Sequence, residues 1–96
     1  MTKIKNSCVL ITGGASGIGR IMGRMALEKG ARQVVIWDIN EQNIATTLAD
    51  FEKVGAAKGF RVDVSNNESV IAAAEQTKRE CGDVDILINC AGIVAE

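Results

Sequence analysis

Apolar and polar positions alternate between two periods along this chain. A short unbroken apolar run, Cys8-Val9-Leu10-Ile11, opens it and predicts a strand over residues 7–12. Ile18, Ile21, Met22, Met25 and Ala26 then recur at helical spacing, predicting a helix over 17–29 with Gly30 as its stop. A second apolar run, Val34-Val35-Ile36-Trp37, predicts a strand over 33–38 that is buried on both faces, as in a parallel sheet. Asn40 is placed to cap a second helix carrying Ile44, Leu48, Phe51 and Val54 on one side, with Gly55 near its end. A third strand is expected over 58–62. Ser65-Asn66-Asn67-Glu68 has the form of a capping box for a third helix reaching about Cys81, and Gly82-Asp83 turns the chain into a fourth strand over 84–89.

The order βαβαβαβ implies parallel strands joined by helical crossovers. The expected architecture is α/β: a Rossmann-like, doubly wound parallel sheet of order 3-2-1-4, ending after strand 4, as the N-terminal part of a single domain over residues 1–96. Ligand then belongs beyond the carboxyl ends of the strands.

The chemistry gathers at that edge. Thr12-Gly13-Gly14-Ala15-Ser16-Gly17-Ile18-Gly19 leads from strand to helix, which is how a chain presents backbone N–H groups to a phosphate. Gly13, Gly17 and Gly19 act through the Cβ they lack, permitting a tight turn and close approach of a pyrophosphate. Nineteen residues beyond Gly19, Asp38 closes the second strand and suits the hydroxyls of a ribose. Its charge would repel a 2′-phosphate, and neither Ser16 nor Ile39 offers a compensating positive charge. NAD is therefore expected rather than NADP, with Arg20 read as an exposed helix arginine. Asp63-Val64 follows strand 3 and Asn89-Cys90-Ala91-Gly92 follows strand 4, where small residues let the backbone approach a ligand. Trp37 and the methionines are read as packing.

Composition narrows the partners. Among 96 residues the net charge is −1, with Lys and Arg scattered, which argues against nucleic acid. No apolar stretch is long enough to span a bilayer and the N-terminus carries no signal-peptide core, so a cytoplasmic protein without a membrane partner is expected. The three cysteines form no CxxC pair and no even framework, which argues against metal or disulfide use. The chain has no His, Tyr or Pro, and without His a Ser-His or Cys-His nucleophile is excluded.

Taken together, these motifs resemble the short-chain dehydrogenase/reductase family over nearly the whole chain. The glycine turn fits that family's Thr-Gly-x-x-x-Gly-x-Gly spacing in its ordinary subgroup. The resemblance implies that Asp63 contacts the adenine by its side chain and Val64 by its backbone N–H. It also places Ala91 and Gly92 beside the nicotinamide-side ribose. Asn89-Cys90-Ala91-Gly92 is similar to the family's Asn-Asn-Ala-Gly stretch, with Cys90 replacing an Asn and weakening a hydrogen bond that supports the sheet. Val35-Ile36-Trp37-Asp38-Ile39-Asn40 resembles retinol- and hydroxysteroid-type members. The family implies reversible hydride transfer between a nicotinamide cofactor and an alcohol or ketone, using a Tyr, a Lys and a Ser. That machinery would follow strand 4, and no catalytic residue is assigned here. A truncated product is expected, covering the apolar edge of Ile86-Leu87-Ile88 by self-association as a homo-oligomer. The alternatives are a non-catalytic dinucleotide-sensing module and, fitting less well, a Rossmann-like methyltransferase.

Overall fold

The computed structural model describes residues 3–91. Four parallel strands, β1 (Cys8–Thr12), β2 (Gln33–Asp38), β3 (Ala57–Arg61) and β4 (Ile86–Asn89), form one sheet of order β3-β2-β1-β4. Three helices cross between them: α1 (Gly17–Glu28), α2 (Glu41–Phe51) and α3 (Asn67–Cys81). Both the expected order and the expected elements are present.

Period-two alternation sorts the sheet residues into two cores. Val9 and Ile11 of β1 and Val34 and Ile36 of β2 point to one side, where they meet Ala26 and Leu27 of α1 and Ile44 and Phe51 of α2. Cys8, Leu10, Val35 and Trp37 point to the other, against Ala73 and Cys81 of α3. The two central strands are therefore buried on both faces, which is why their sequences carry no polar alternation. Trp37 satisfies its indole N–H on the buried Thr77 hydroxyl at 3.0 Å. At the β4 edge, Ile86 and Ile88 pack toward the α1/α2 side, while Leu87 is 62% exposed. On that side α1 lies close to α2: a Cβ at Gly23 would stand 2.7 Å from the Phe51 ring.

Helix ends follow local chemistry. Asn40 caps α2 as expected, accepting from the Asn43 N–H at 2.9 Å. Gly30 stops α1 with φ 92°. The third cap departs from expectation: Asn66, not Ser65, accepts from the Ser69 N–H at 3.0 Å, and the helix begins at Asn67. Ser65 is withdrawn because its hydroxyl and its N–H both donate to Asp63 Oδ1, at 2.6 and 3.0 Å. An Asx turn has taken the group that a capping box requires. β4 also starts two residues later than expected. Asp85 precedes it instead, with its Oδ2 accepting the Cys8 N–H at 2.8 Å.

Candidate functional site

A cavity of about 520 Å³ opens beyond the carboxyl ends of the strands. Its walls come from four places in the sequence. The glycine turn gives Gly13, Ser16, Gly17, Ile18 and Gly19; the end of β2 gives Trp37, Asp38 and Ile39. The segment after β3 gives Val62, Asp63, Val64 and Ser65, and the end of β4 gives Cys90 and Ala91. The strand order reverses between β1 and β4, so the cavity lies at the sheet's topological switch point.

The N–H groups of the glycine turn divide into two sets. Those of Gly13 and Gly14 reach the Trp37 carbonyl at 2.7 and 3.4 Å, and that of Ala15 reaches Asp38 Oδ2 at 3.1 Å. Residues 16–19 have no acceptor among the described hydrogen bonds, and helical bonding resumes when Arg20 N–H donates to the Ser16 carbonyl at 3.3 Å. Ser16 occupies the N-cap of α1 with no side-chain cap bond, so these donors stay free of partners among the described residues. Glu41 and Glu68 sit in the first turns of α2 and α3, whereas α1 has no acid there. Its positive end faces the cavity with no acid of its own first turn to offset it.

Each glycine has a different task. Gly13 (φ 70°) lies against the end of β4, where a Cβ would stand 2.9 Å from the Ala91 nitrogen. A Cβ at Gly19 would stand 2.1 Å from the Gly13 carbonyl oxygen, so this glycine closes the turn on itself. At Gly17 (φ 55°) a Cβ would meet nothing within 4 Å. The expected close approach of a ligand therefore fits Gly17, while Gly13 and Gly19 serve packing within the protein.

Asp38 has a second task that its position in the sequence does not announce. Its Oδ2 accepts from Ala15 N–H and its Oδ1 from Asn40 N–H, both at 3.1 Å. The carboxylate thus braces the glycine turn against the β2–α2 turn and still has lone pairs to offer the cavity. Asp63 is held differently. The Ser65 hydroxyl and N–H on its Oδ1 lower its pKa from the usual carboxylate value, keeping it charged. Arg20, the nearest basic residue to the turn in sequence, is directed toward Asp50 at 3.6 Å, alongside Arg24 at 2.7 Å. No Lys or Arg lines the cavity among the described residues.

Asn89 stands behind the wall and not in it. Thr12 Oγ1 donates to Asn89 Oδ1 at 2.6 Å and accepts from the N–H groups of Cys90 and Ala91 at 3.1 and 3.3 Å. One hydroxyl thereby fixes where β4 ends relative to the turn. Thr12→Val should lower stability by about 1 kcal/mol, the net worth of the hydrogen bonds that this buried hydroxyl makes to its part-buried partners, and so reduce Tm by roughly 4–8 °C. Thr12→Ser should melt near the parent; equal melting of the Val variant would contradict this role for the hydroxyl. Gly92 lies outside the described residues. Sequence reasoning missed Thr12, and it also missed Trp37, Val62, Ser65 and Cys90 as wall residues. Trp37 reads as packing and Val62 only as the end of the expected third strand; both are core, and their outer edges also border the cavity.

Comparison with known proteins decides the family. The profile described as short chain dehydrogenase matches residues 7–96. This chain belongs to the short-chain dehydrogenase family. Estradiol 17-beta-dehydrogenase 11 of Mus musculus is 44% identical to this family member over 95% of the chain, which covers 30% of that relative. A short chain dehydrogenase structure from Mycobacterium smegmatis superposes with a TM-score of 0.87 at 35% identity, covering 95% of the chain and 38% of its own. A short chain dehydrogenase/reductase from Burkholderia phymatum in complex with NAD superposes with a TM-score of 0.83 at 32% identity, covering 91% of the chain and 31% of its own. The chain spans about a third of the length of the curated relatives it matches. Among the described residues of this family member, no helix is long and apolar enough to cross a membrane. No group of three His, Cys, Asp or Glu among them is placed to hold a metal ion.

Proposed function

We propose that the cavity binds NAD and that this chain supplies the cofactor-holding part of an oxidoreductase acting on an alcohol or ketone. The carrying observation is the pairing of free N–H groups at residues 16–19 with the Asp38 carboxylate on one cavity. The turn offers donors and a helix positive end to a pyrophosphate. Asp38 offers acceptors to the adenosine ribose, and Asp63 and Val64 stand at the adenine end. Ala91, and Gly92 beyond it, belong to the nicotinamide-side ribose. The open space at Gly17 fits a group lying directly on the backbone, since no side chain among the described residues fills it. When bound, the dinucleotide would supply a nicotinamide ring able to accept or return a hydride. This chain's residues bind, orient and shield the cofactor.

Preference for NAD over NADP belongs to the same reading. A 2′-phosphate beside Asp38 would meet a like charge, and Arg20 is engaged with Asp50. The relative from Burkholderia phymatum was solved with NAD, and a xylitol dehydrogenase 26% identical to this chain was solved NAD+-bound, which supports the dinucleotide. The chain's single tryptophan, Trp37, lines the cavity and serves as a probe. Titration with NADH should quench its fluorescence saturably, and NADPH should need about tenfold or more higher concentration. Absence of saturable quenching, confirmed by calorimetry, would refute the reading.

A further inference from the structure

Within the glycine turn, Ala15 is held by its side chain, its N–H and its carbonyl together. Ala15 is 2% exposed and its methyl belongs to the α1/α2-side core, whereas residues 16–18 that follow are exposed. Its N–H is taken by Asp38 Oδ2. Its carbonyl oxygen accepts a hydrogen bond from Thr47 Oγ1 at 3.0 Å. Thr47 is 0% exposed and comes from the middle of α2, 32 residues away in sequence.

The neighbouring residue shows that this is not the ordinary behaviour of a helical threonine. Thr46 is exposed and turns its hydroxyl back to the Gln42 carbonyl at 3.0 Å, the common i−4 bond within a helix. Thr47 crosses to another element. A β-branched polar residue in a helix interior is a poor helix former, and burying its hydroxyl is favourable only with a partner. The partner here is a carbonyl that the helix cannot satisfy. An unbroken α1 would have placed the Gly19 N–H on that carbonyl; instead Gly19 N–H is one of the free donors of the turn. By occupying the Ala15 oxygen from the side, Thr47 lets the turn hold its amides outward without stranding a buried acceptor.

We infer that Thr47 is a positioning residue for the phosphate-facing amides, through which α2 sets the pyrophosphate end of the cofactor site. This rests on the dinucleotide reading above. Asp38 and Thr47 grip the N–H and the carbonyl oxygen of one residue, Ala15, so the ribose-selecting strand and the helix after it both hold the turn.

The test compares two ligands by NMR shift titration on the full chain: ADP, which carries the pyrophosphate, and adenosine, which does not. Thr47→Val, nearly isosteric but without the hydroxyl, should weaken ADP binding about fivefold or more, while adenosine binding stays within about twofold. Thr47→Ser should restore ADP binding to the parent level. A general loosening of the fold would weaken both ligands together, so equal losses overturn the inference, as does unchanged ADP binding in the Val variant. If the Val variant does not fold, the Ser variant decides: parent-like ADP binding and parent-like hydrogen exchange at residues 14–19 support the role, and loss of either overturns it. If the unaltered chain binds neither ligand, the dinucleotide reading itself fails, an outcome distinct from a failure at Thr47.

Discussion

Asp38→Ala should weaken NAD binding by about tenfold to a hundredfold and abolish the preference over NADP, the loss expected when charged hydrogen bonds to a ribose disappear. The effect on NADP should be far smaller, because removing the carboxylate also removes the charge that repels a 2′-phosphate. Binding is not the whole consequence. Both carboxylate oxygens receive backbone N–H groups, from Ala15 and Asn40. The Asn40 donor is exposed and water can replace its partner; the Ala15 donor belongs to a residue 2% exposed and is left stranded. The same substitution should therefore lower stability by about 1–3 kcal/mol. Asp38→Asn separates the two roles only in part. Its amide can keep one acceptor, but the NH2 group then faces a backbone donor. Calorimetric titration with NAD and NADP, alongside thermal melting, checks both parts. An unchanged ratio of the two affinities would remove Asp38 from cofactor selection, whatever happens to stability.

Much of the architecture was legible because each signal was local. The unbroken apolar runs of β1 and β2 report burial on two faces, and the structure divides them residue by residue between two cores. Asn40 and Gly30 sit at helix ends where their own backbone preferences suffice. The failures share another cause. Ser65 had the right spacing for a capping box, but a carboxylate two residues earlier competed for its hydroxyl, and Asn66 took over. Thr12, Thr47 and the hold of Asp38 on the glycine turn were hidden because each involves a backbone group 23 to 79 residues away. A side chain's spacing in sequence says nothing of a main-chain N–H brought beside it by the sheet. The glycine motif sits between these cases. Its pattern located the site, while the division of labour among Gly13, Gly17 and Gly19 required knowing what stands opposite each.

That division predicts opposite outcomes for two alanine substitutions in one turn. At Gly19 a Cβ would stand 2.1 Å from the Gly13 carbonyl oxygen and 3.2 Å from the Gly14 Cα, so the obstruction is main chain. No flexible side chain is available to yield. The turn must open or α1 must shift, and Gly19→Ala should cost about 3 kcal/mol, at the upper end of overpacking. For a domain of this size that lowers Tm by roughly 10–20 °C. At Gly17 the new methyl would meet no protein atom within 4 Å, and the strain is that of holding a substituted residue at φ 55°. Gly17→Ala should cost only about 1–2 kcal/mol. Its larger effect falls on the ligand, because the methyl occupies the space where a pyrophosphate would lie on the backbone, and NAD affinity should drop by more than about tenfold. Melting and NADH titration on both variants separate the cases. If Gly17→Ala melted far below the parent yet bound NADH with parent affinity at low temperature, the open space at Gly17 would not be where the cofactor approaches, and the phosphate would have to lie elsewhere along the turn.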